Sequence, residues 1–482
     1  MFMRMVYDEK LAQAAYIFGC QRTGEAIVID PERDVDRYIE IARNNGLKIT
    51  AVAETHIHAD FVSGARELAE RVGAKVYVSA EGGPDWSYQW LDKKSGGGSY
   101  DHQLLRDWDS FRIGAIEFRA MHTPGHTPEH MVFVVTDHGS GATEPIGVVT
   151  GDFLFVGDLG RPDLLESAAG KKGAMEPGAK DLFKSLRVID GMPEFAQVWP
   201  GHGAGSACGK ALGAVPMSTV GYERRFNSAL RAATGEKDFV DFILAGQPEP
   251  PLYFADMKRV NKEGPSVLGE LPSPTRLTPE ELRSLDTKSL ALVDTRPWAA
   301  FREGHVPGSL HLPLDKSFPT DAGSFIREDE KIVLIVSPGG VEEAVRDLVR
   351  IGRDRVTGWF HSAELDRFVG EGHALAQAPE VEPERAAEMI GSGGPGVLDV
   401  RRRTEYDRGH LPDAVNISHT RLASRLDEAP STEPLLVHCQ SGIRSAKSTA
   451  FLRRMGFDAV NVRGGYAALD KLGSLRTVAG AE

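Results

Sequence analysis

The first half of the chain carries short runs of apolar residues separated by turn residues. Such runs, rich in Val and Ile, are typical of buried β-strands. A segment in which Ile116, Phe118 and Ala120 alternate with polar or charged residues instead indicates a half-buried strand. The chain therefore begins with a domain that contains many strands. The buried strands predicted there are residues 26–30, 49–53, 131–135 and 146–150.

The second half of the chain contains an internal repeat. The segment from Leu292 to Pro307 is matched by the segment from Leu398 to Pro412, and the aspartates Asp294 and Asp399 are 399 − 294 = 105 residues apart. In each copy an apolar run and then a helix-like segment follow. This alternation predicts a parallel α/β sheet, and the spacing is too long for a solenoid, so we expect a duplicated domain. The two apolar runs are residues 332–336 and 435–438.

Two proline-rich stretches divide the chain. The first extends from Gln247 to Thr275 and the second from Ala374 to Pro383. Proline stiffens the backbone and removes hydrogen-bond donors, so such stretches tend to separate packed units. A chain of 482 residues also exceeds one domain at about 150 residues per domain. The predicted domains are residues 1–250, 275–375 and 385–475.

Composition excludes several classes of protein. The net charge is 56 − 69 = −13, which disfavours nonspecific binding to nucleic acid. Three cysteines do not provide a disulfide framework. We find neither a signal-peptide pattern at Met1 nor an apolar run long enough to span a membrane. The sequence thus predicts a soluble protein in the cytoplasm, without membrane or nucleic-acid partners, and leaves the formation of a homo-oligomer open.

Histidine and aspartate residues recur in four segments of the first domain. A single pair of this kind can be a surface accident or part of a hydrogen-bonded core, but four segments in order indicate a site for a divalent metal. The spacing of His122, His126 and His130 does not predict a helix, because Pro124 and Gly125 interrupt it. The segments are Thr55-His56-Ile-His58-Ala-Asp60-Phe61, His122-Thr-Pro-Gly-His126, Thr150-Gly-Asp152 and Pro200-Gly-His202.

This order of segments resembles the metallo-β-lactamase superfamily over about the first half of the chain. The resemblance implies an α/β/β/α sandwich with the metal at one edge. The sequence departs from the family pattern at Phe61, where two-metal members have a histidine ligand. Phenylalanine cannot bind a metal, so the departure favours a single metal over the two zinc ions of glyoxalase II-type hydrolases.

The resemblance narrows to the persulfide dioxygenases of this superfamily, whose single Fe(II) is held by two histidines and one aspartate. By motif position, it implies one Fe(II) per chain with His56, His126 and Asp152 as ligands, which leaves open positions for substrate and O2. Arg161 lies in a segment that resembles the active-site loop of the same subfamily. It is then either a ligand for an anionic thiol carrier or part of an ordinary ion pair. The residues implied to orient the ligands or waters are His58, Asp60 and His202.

A cysteine in the last repeat follows the apolar run 435–438. We expect backbone N–H groups, the start of a helix near Ser445 and the charge of Arg444 to stabilise the Cys439 thiolate. With Asp399 and Gly409 upstream, the loop resembles the rhodanese family, and its four residues between Cys439 and Arg444 fit sulfurtransferases better than the related phosphatases. The resemblance implies that Cys439 and Arg444 are catalytic and that the loop residues Ser441 and Gly442 bind substrate.

The first repeat lacks a cysteine in its loop. Ser337 occupies the loop position in the first repeat, so we expect that repeat, 275–375, to be catalytically inactive.

Cys20 and Cys208 lie in the first domain. Each is either a small buried hydrophobic residue or a relay thiol, and Cys208, six residues after His202, is expected near the metal.

The whole chain is thus predicted to be an α/β multidomain protein that resembles persulfide dioxygenase–rhodanese fusions used in sulfide detoxification. Its implied partners are a low-molecular-weight thiol persulfide, O2 and sulfite, and its implied product is thiosulfate. The alternatives are a zinc thioester hydrolase of the glyoxalase II type fused to a rhodanese, a metal-free rhodanese with a degenerate scaffold domain, and a non-catalytic sulfur-binding protein.

Overall fold

The structure is a computed structural model that describes residues 1–168, 170–370, 372–473, 475 and 478. The chain divides into two compact units. The first contains Met1–Leu271 together with Val349–Gly352, and the second contains the remaining described residues. No helix in this described part of the chain is both long and apolar enough to cross a membrane.

The first unit is built on two six-stranded sheets. In one sheet the strands follow each other in chain order, with β1, β2 and β3 antiparallel and β3 to β6 parallel. The other sheet is antiparallel except where β10 and β11 run parallel. The strands are β1 Phe2–Asp8, β2 Gln13–Cys20, β3 Glu25–Ile29, β4 Lys48–Ala53, β5 Lys75–Ser79, β6 His102–Leu105, β7 Ser110–Ile113, β8 Ile116–His122, β9 Met131–Asp137, β10 Gly147–Gly151, β11 Gln197–Pro200 and β12 Ser218–Thr219.

Three apolar clusters hold these layers together. Residues of both sheets, among them Phe18 and Phe133, form the cluster between the sheets. On the outer faces, one cluster includes Tyr38 and the other Leu182, so helices cover each sheet. This confirms the predicted α/β/β/α sandwich. The helices of this unit are α1 Asp36–Asn44, α2 Ala65–Val72, α3 Leu164–Ser167, α4 Met175–Ser185, α5 Arg187–Asp190, α6 Val220–Phe226, α7 Ser228–Ala232, α8 Glu236–Leu244 and α9 Phe254–Glu263.

Helix α9 lies inside the stretch that the sequence predicts to be a linker, so that prediction is corrected here. Its Asn261 is buried, donates to the carbonyl groups of His58 and Phe61 at 2.8 and 2.7 Å, and accepts the N–H of Ser63 at 2.8 Å. The amide thus satisfies backbone groups of the segment that carries the first metal motif. The first unit consequently extends to Leu271, beyond the predicted boundary at residue 250.

The second unit contains the two predicted repeats. Each forms a five-stranded parallel sheet, in the order β13-β17-β16-β14-β15 or β18-β22-β21-β19-β20, so the two topologies are identical. The strands are β13 Thr275–Arg276, β14 Leu290–Asp294, β15 Leu310–His311, β16 Lys331–Val336, β17 Val356–His361, β18 Glu380–Val381, β19 Gly396–Asp399, β20 Val415–Asn416, β21 Leu435–His438 and β22 Ala459–Val462. The helices are α10 Pro279–Arg283, α11 Trp298–Glu303, α12 Phe318–Phe325, α13 Val341–Arg350, α14 Pro383–Gly391, α15 Arg403–Tyr406, α16 Ile443–Arg454 and α17 Gly465–Leu472.

Candidate metal centre and sulfur-transfer loop

Three side chains predicted to bind the metal converge at the ends of strands in the first unit. His56 follows β4, His126 lies in the loop between β8 and β9, and Asp152 directly follows β10. All three are buried, and their potential ligand atoms lie within 4.8 Å of one another. His126 Nε2 lies 3.4 Å from Asp152 Oδ2. The geometry therefore brings the predicted triad together.

Hydrogen bonds on the far side of each imidazole fix which nitrogen faces the triad. Thr55 Oγ1 donates to Asp30 Oδ2 at 2.8 Å and therefore accepts the Nδ1–H of His56 at 2.9 Å. His126 Nδ1 lies 3.1 Å from the carbonyl oxygen of Arg161, so it too carries the proton. In both rings the Nε2 lone pair is thus free for a metal, as an outer layer of hydrogen bonds normally arranges.

Asp152 is held through its backbone. Its N–H donates to His130 Nε2 at 3.0 Å, and both of its carboxylate oxygens are buried without a hydrogen-bond partner among the described residues. Gly151 before it has a φ of +48°, and a Cβ there would come within 2.5 Å of Thr55 Oγ1. Only glycine therefore fits this turn. Two free carboxylate oxygens in a buried site are a strong indication of a bound cation, because burial of an uncompensated charge is costly.

The electrostatic environment leaves the two ligand histidines neutral. Burial lowers the pKa of His56 well below its usual range, and the neighbouring histidines act in the same direction. Burial also lowers the pKa of His126, and it outweighs the opposite effect of Asp152. Neutral imidazoles are the form that binds a metal, so the site is prepared for a cation near pH 7.

The three residues predicted to orient the ligands separate into two groups. The His58 ring centre lies 4.1 Å from that of His56, and His58 pairs with Glu54 at 3.0 Å and Asp30 at 3.2 Å. These carboxylates outweigh burial and raise its pKa well above the usual value. His202 and Asp60 instead lie beside the triad. Their atoms Nε2 and Oδ2 are 3.2 Å apart.

The two cysteines of the first unit differ in their surroundings. Cys208 is buried, and its Sγ lies with Asp60 and His202 in a second group of potential ligands that are within 4.8 Å of one another. Burial and the nearby Asp60 raise its pKa well above the usual value. Cys20 ends β2. Burial raises its pKa, but hydrogen bonds, first from the Ala115 N–H at 3.4 Å, outweigh burial and lower the pKa to about 7.

The predicted role of Arg161 in substrate binding needs correction. Its side chain is fully buried, forms two hydrogen bonds to Asp163 at 2.8 and 2.5 Å, and donates to the carbonyl groups of Ala207 and Pro248. A guanidinium that is already satisfied and inaccessible cannot receive an anionic thiol carrier. The Arg161 side chain instead fixes its own loop, in which the Arg161 carbonyl group orients the His126 ring.

Three residues that the sequence reasoning missed shape this site. Asp30 ends a predicted strand, which is the only signal that pointed to it. The only sequence signal at His130 is its spacing from His122 and His126. Asn261 lies 203 residues from His58, the residue whose carbonyl it binds, and gives no signal in the sequence.

The rhodanese-like loop of the second unit wraps around Cys439, whose side chain is fully buried. Its Sγ accepts the N–H of Gly442 at 3.2 Å and lies 3.6 Å from Ser445 Oγ. Helix α16 begins at Ile443, two residues earlier than predicted, and Gly442 before it has a φ of +90°. The carbonyl group of Cys439 points away from the loop because it accepts the N–H of Tyr466 at 2.7 Å. The backbone therefore presents donors to the sulfur.

The charge of Arg444 is shared with an acidic partner. Its guanidinium forms two hydrogen bonds to Glu405 at 2.6 and 2.7 Å. Burial lowers the pKa of Arg444, but Glu405 and, to a smaller extent, Cys439 outweigh burial and raise it. Arg401 is buried nearby, pairs with Asp399 and stacks 3.9 Å over Tyr466. The cysteine therefore lies in a network of paired cations rather than beside one free arginine.

A cavity of about 670 Å³ adjoins this loop within the second unit. The predicted substrate residues Ser441 and Gly442 line it on one side. Trp298, Arg302 and His311, which belong to the repeat without a cysteine, line the other side. The cysteine-free repeat therefore contributes a wall to the space that leads to the active loop.

Family models match both parts of the chain. The model of the metallo-beta-lactamase superfamily matches residues 9–202, and the model of the rhodanese-like domain matches residues 278–357 and 382–471. A crystal structure of a metallo-beta-lactamase from Staphylococcus aureus subsp. aureus COL is 39% identical, with a TM-score of 0.66, and the match covers 75% of this chain and 98% of that one.

Two curated relatives match the first part of the chain. A probable metallo-hydrolase of Burkholderia pseudomallei (strain 1710b) is 28% identical over 56% of this chain and 93% of its own length. A mitochondrial persulfide dioxygenase of Bos taurus is 25% identical over 48% of this chain and 78% of its own length.

The fold and the clustered ligands define a domain with a candidate metal site, joined to a pair of rhodanese-like domains. The chain belongs to the metallo-β-lactamase superfamily through its first unit and carries two rhodanese-like domains in its second. The predicted family and fold class are confirmed. The matches and the clustered ligands also support a metal-binding enzyme.

Proposed function

We propose that the protein is a non-haem Fe(II) persulfide dioxygenase coupled to a sulfurtransferase. The first reaction is RSSH + O2 + H2O giving RSH, sulfite and two protons. The second is RSSH plus sulfite giving RSH and thiosulfate. The observation that carries the proposal is the presence in one chain of a His56, His126 and Asp152 triad and a buried Cys439 in a rhodanese loop.

The donor set of the triad fits Fe(II). Two imidazole Nε2 atoms and a carboxylate on one side of a buried site leave further positions for two substrates, an arrangement typical of non-haem iron oxygenases. Bound Fe(II) would supply open coordination positions and a redox-active centre for O2, while the outer sulfur of the persulfide provides the electrons that reduce O2. The chain itself orients His56 through Thr55 and Asp30, and it buries the site away from bulk water.

The second reaction uses the thiolate of Cys439. The thiolate attacks the outer sulfur of RSSH, a new S–S bond forms, the original S–S bond breaks, and RS⁻ leaves. Sulfite then attacks the outer sulfur of the enzyme persulfide, which releases thiosulfate and restores the thiolate, and the remaining proton passes to RS⁻. The Gly442 N–H and the N-terminus of α16 stabilise the anionic sulfur in each step.

Joining the two centres in one chain has a kinetic advantage. Sulfite made at the iron is consumed at Cys439, and tethering raises its local concentration there. The proposed partners are accordingly small molecules: a low-molecular-weight thiol persulfide, O2 and sulfite. Cys208 beside the metal, and Cys20, remain the proposed relay thiols of the first unit.

A zinc thioester hydrolase is the second candidate, because the Burkholderia relative carries the description of a probable metallo-hydrolase. A hydrolase would explain the metal ligands, but thioester hydrolysis does not require Cys439 or the loop around it. A test with a thioester therefore separates the two functions.

The experiment uses full-length protein purified without oxygen and analysed for its metals. Glutathione persulfide is added, and O2 uptake, sulfite and thiosulfate are measured together; S-lactoylglutathione serves as the thioester. We expect one iron per chain in the triad, O2 uptake and both sulfur products. Thioester hydrolysis with zinc and no O2 uptake would contradict the proposal.

A further inference from the structure

A chain of hydrogen-bonded side chains leads from Cys439 to an edge strand of its sheet. Ser445 Oγ lies 3.6 Å from Cys439 Sγ and donates to Asn461 Oδ1 at 2.7 Å. Asn461 Nδ2 in turn donates to Glu380 Oε2 at 2.8 Å. Glu380 begins β18 and is the strand partner of Asn461 in β22. Cys439 and Ser445 are fully buried and Asn461 is nearly so, which protects these contacts from competition by bulk water.

The Glu380 carboxylate is held by the repeat that lacks a cysteine. Its Oε1 accepts Arg302 Nη1 at 2.7 Å, and its Oε2 accepts Trp298 Nε1 at 2.6 Å. Both donors belong to α11. A carboxylate paired with an arginine accepts hydrogen bonds and donates none, so the amide of Asn461 must present its NH2 group to Glu380. The amide oxygen of Asn461 is thereby fixed toward Ser445.

The orientation of this amide decides where the Ser445 hydroxyl hydrogen points. A hydroxyl group has only one hydrogen, and the oxygen of Asn461 takes it. The lone pairs of Ser445 Oγ therefore face the sulfur of Cys439. A thiol can donate its S–H to that oxygen, whereas a thiolate meets lone pairs instead of a donor. Asn461 thus opposes the Gly442 N–H, which donates to the same sulfur at 3.2 Å.

We propose that Asn461 is a positioning residue that keeps the Ser445 hydroxyl turned away from Cys439 and so favours the thiol over the thiolate. Glu380 is its anchor. The inference rests on the sulfurtransferase half of the proposed function and deepens it, because the thiolate is the form that accepts sulfur. It also gives the cysteine-free repeat a role, since α11 of that repeat holds the anchoring carboxylate.

Ion pairs and a neutral histidine make up the remaining electrostatic environment of the loop. Burial lowers the pKa of His438 and outweighs the opposite effect of Asp399. These groups are the same in every variant described below, so differences between the variants report the contacts of Asn461 and Glu380. The ion pairs are Arg444–Glu405, Arg401–Asp399, Lys447–Asp321 and Arg463–Glu382.

The test measures the pH midpoint of thiolate formation at Cys439 in full-length protein, without any sulfur substrate. The ultraviolet absorbance of the thiolate is followed against pH, and the curve of the same protein carrying Cys439→Ser is subtracted. We expect Asn461→Leu to lower the midpoint by about 0.5–1 pH unit, the size of one hydrogen bond gained by the sulfur. Ser445→Ala should not raise the midpoint, and Asn461→Leu should have no effect in the Ser445→Ala background.

Glu380→Gln tests the anchor and keeps the test valid if Asn461→Leu does not fold. A glutamine amide offers both a donor and an acceptor, so Asn461 is no longer held in one orientation and the midpoint should fall. The fall should be larger than in Glu382→Gln, which removes an exposed carboxylate two residues further along the chain. It should largely disappear in the Ser445→Ala background. Circular dichroism checks that each variant is folded.

Three results would overturn the proposal. An unchanged or higher midpoint in Asn461→Leu would show that the amide does not restrain the hydroxyl. A shift of equal size with and without Ser445 would show that the substitutions act through charge or packing. A higher midpoint in Ser445→Ala would show that the hydroxyl already donates to the thiolate. These measurements need neither O2 uptake nor sulfur transfer, so a failure of the proposed function is seen separately.

Discussion

The imidazole of His130 accepts the backbone N–H of Asp152 at Nε2, over 3.0 Å, while its Nδ1 lies 2.8 Å from Thr123 Oγ1. Thr123 directly follows β8 and Asp152 directly follows β10, the two strands that lie on either side of β9 in the second sheet. A neutral histidine, one nitrogen protonated and the other not, is what this pair of contacts requires. Burial lowers the pKa of His130 well below its usual range and so favours that form.

We predict that His130→Ala weakens metal binding by about 10- to 100-fold, as is typical when an outer contact of a ligand is lost. The buried N–H of Asp152 then lacks a partner, which costs about 1–3 kcal/mol of folding free energy. Competition with a metal chelator and urea unfolding measure the two effects. The control is His138→Ala, which changes a histidine outside the metal site that pairs with Glu117 and should leave metal affinity unchanged. Unchanged metal affinity in His130→Ala would exclude this positioning role.

We predict that Asp152→Asn reduces O2 uptake with a thiol persulfide to background, because the amide keeps the size but loses the charge that binds the metal. Sulfur transfer through Cys439 should stay within about twofold, since sites without shared partners act independently. An oxygen electrode and a sulfur-transfer assay on the same preparation give both rates. Normal O2 uptake with full iron content would show that the ligand assignment is wrong.

We predict that Cys439→Ser stops enzymatic thiosulfate formation and that sulfite accumulates instead. Serine preserves the shape of the loop, but its hydroxyl stays protonated near neutral pH and cannot carry a sulfane sulfur. Sulfite and thiosulfate are quantified together, after correction for the spontaneous reaction of sulfite with persulfide. Cys20→Ser is the matched control for loss of one thiol. Undiminished thiosulfate in Cys439→Ser would assign sulfur transfer to Cys20 or Cys208.

We predict that Ser441→Trp raises the KM for sulfur transfer by at least about tenfold, because the indole fills the cavity beside the loop. O2 uptake should not change, since this cavity belongs to the second unit. Steady-state kinetics measure the KM for sulfur transfer and the rate of O2 uptake on the same preparation. Ser392→Trp puts the same side chain at an exposed helix end outside the cavity and should have no effect. An unchanged KM in Ser441→Trp would show that substrate does not pass through this cavity.

We predict that acid destabilises the contact between the two rhodanese-like domains. Burial raises the pKa of Asp321, but His419 and then Lys447, which donates to it over 2.5 Å, outweigh burial and lower the pKa to about 2. As the pH falls, the Asp321 carboxylate is therefore protonated in the unfolded chain before it is protonated in the folded chain. The stabilisation is complete above the unfolded pKa of 3.8 and is lost as the pH falls from about 4 to about 2.

Asp321→Asn tests this pair. It should cost about 3–5 kcal/mol near pH 7, because Lys447 is left buried without its carboxylate. The variant should also lose the decline in stability that the wild type shows between about pH 4 and pH 2. Hydrogen exchange of α16 in urea follows the second unit specifically. Asp315→Asn is the control, because that carboxylate is more exposed and lies farther from Lys447, at 3.4 Å. Equal stability of wild type and Asp321→Asn would exclude a stabilising pair.

Local patterns in the sequence determined much of this protein. Strands form from short runs of apolar residues, so the sequence shows where they lie. The sequence also shows the order of the His and Asp segments and the cysteine after β21 directly. The duplicated domain followed from comparing Asp294 with Asp399. These features carry the family resemblances, and the resemblances implied the sandwich, the two rhodanese-like domains and the triad that the structure brings together.

Only the tertiary structure decided the residues whose partners are distant in sequence. The burial of Arg161, the packing of α9 through Asn261, and the position of Cys208 beside Asp60 each depend on contacts that link segments far apart in the chain. A buried polar group must find a partner, but the sequence does not say which one. For that reason the sequence predicted which side chains could bind a metal, while the fold alone decided what surrounds them.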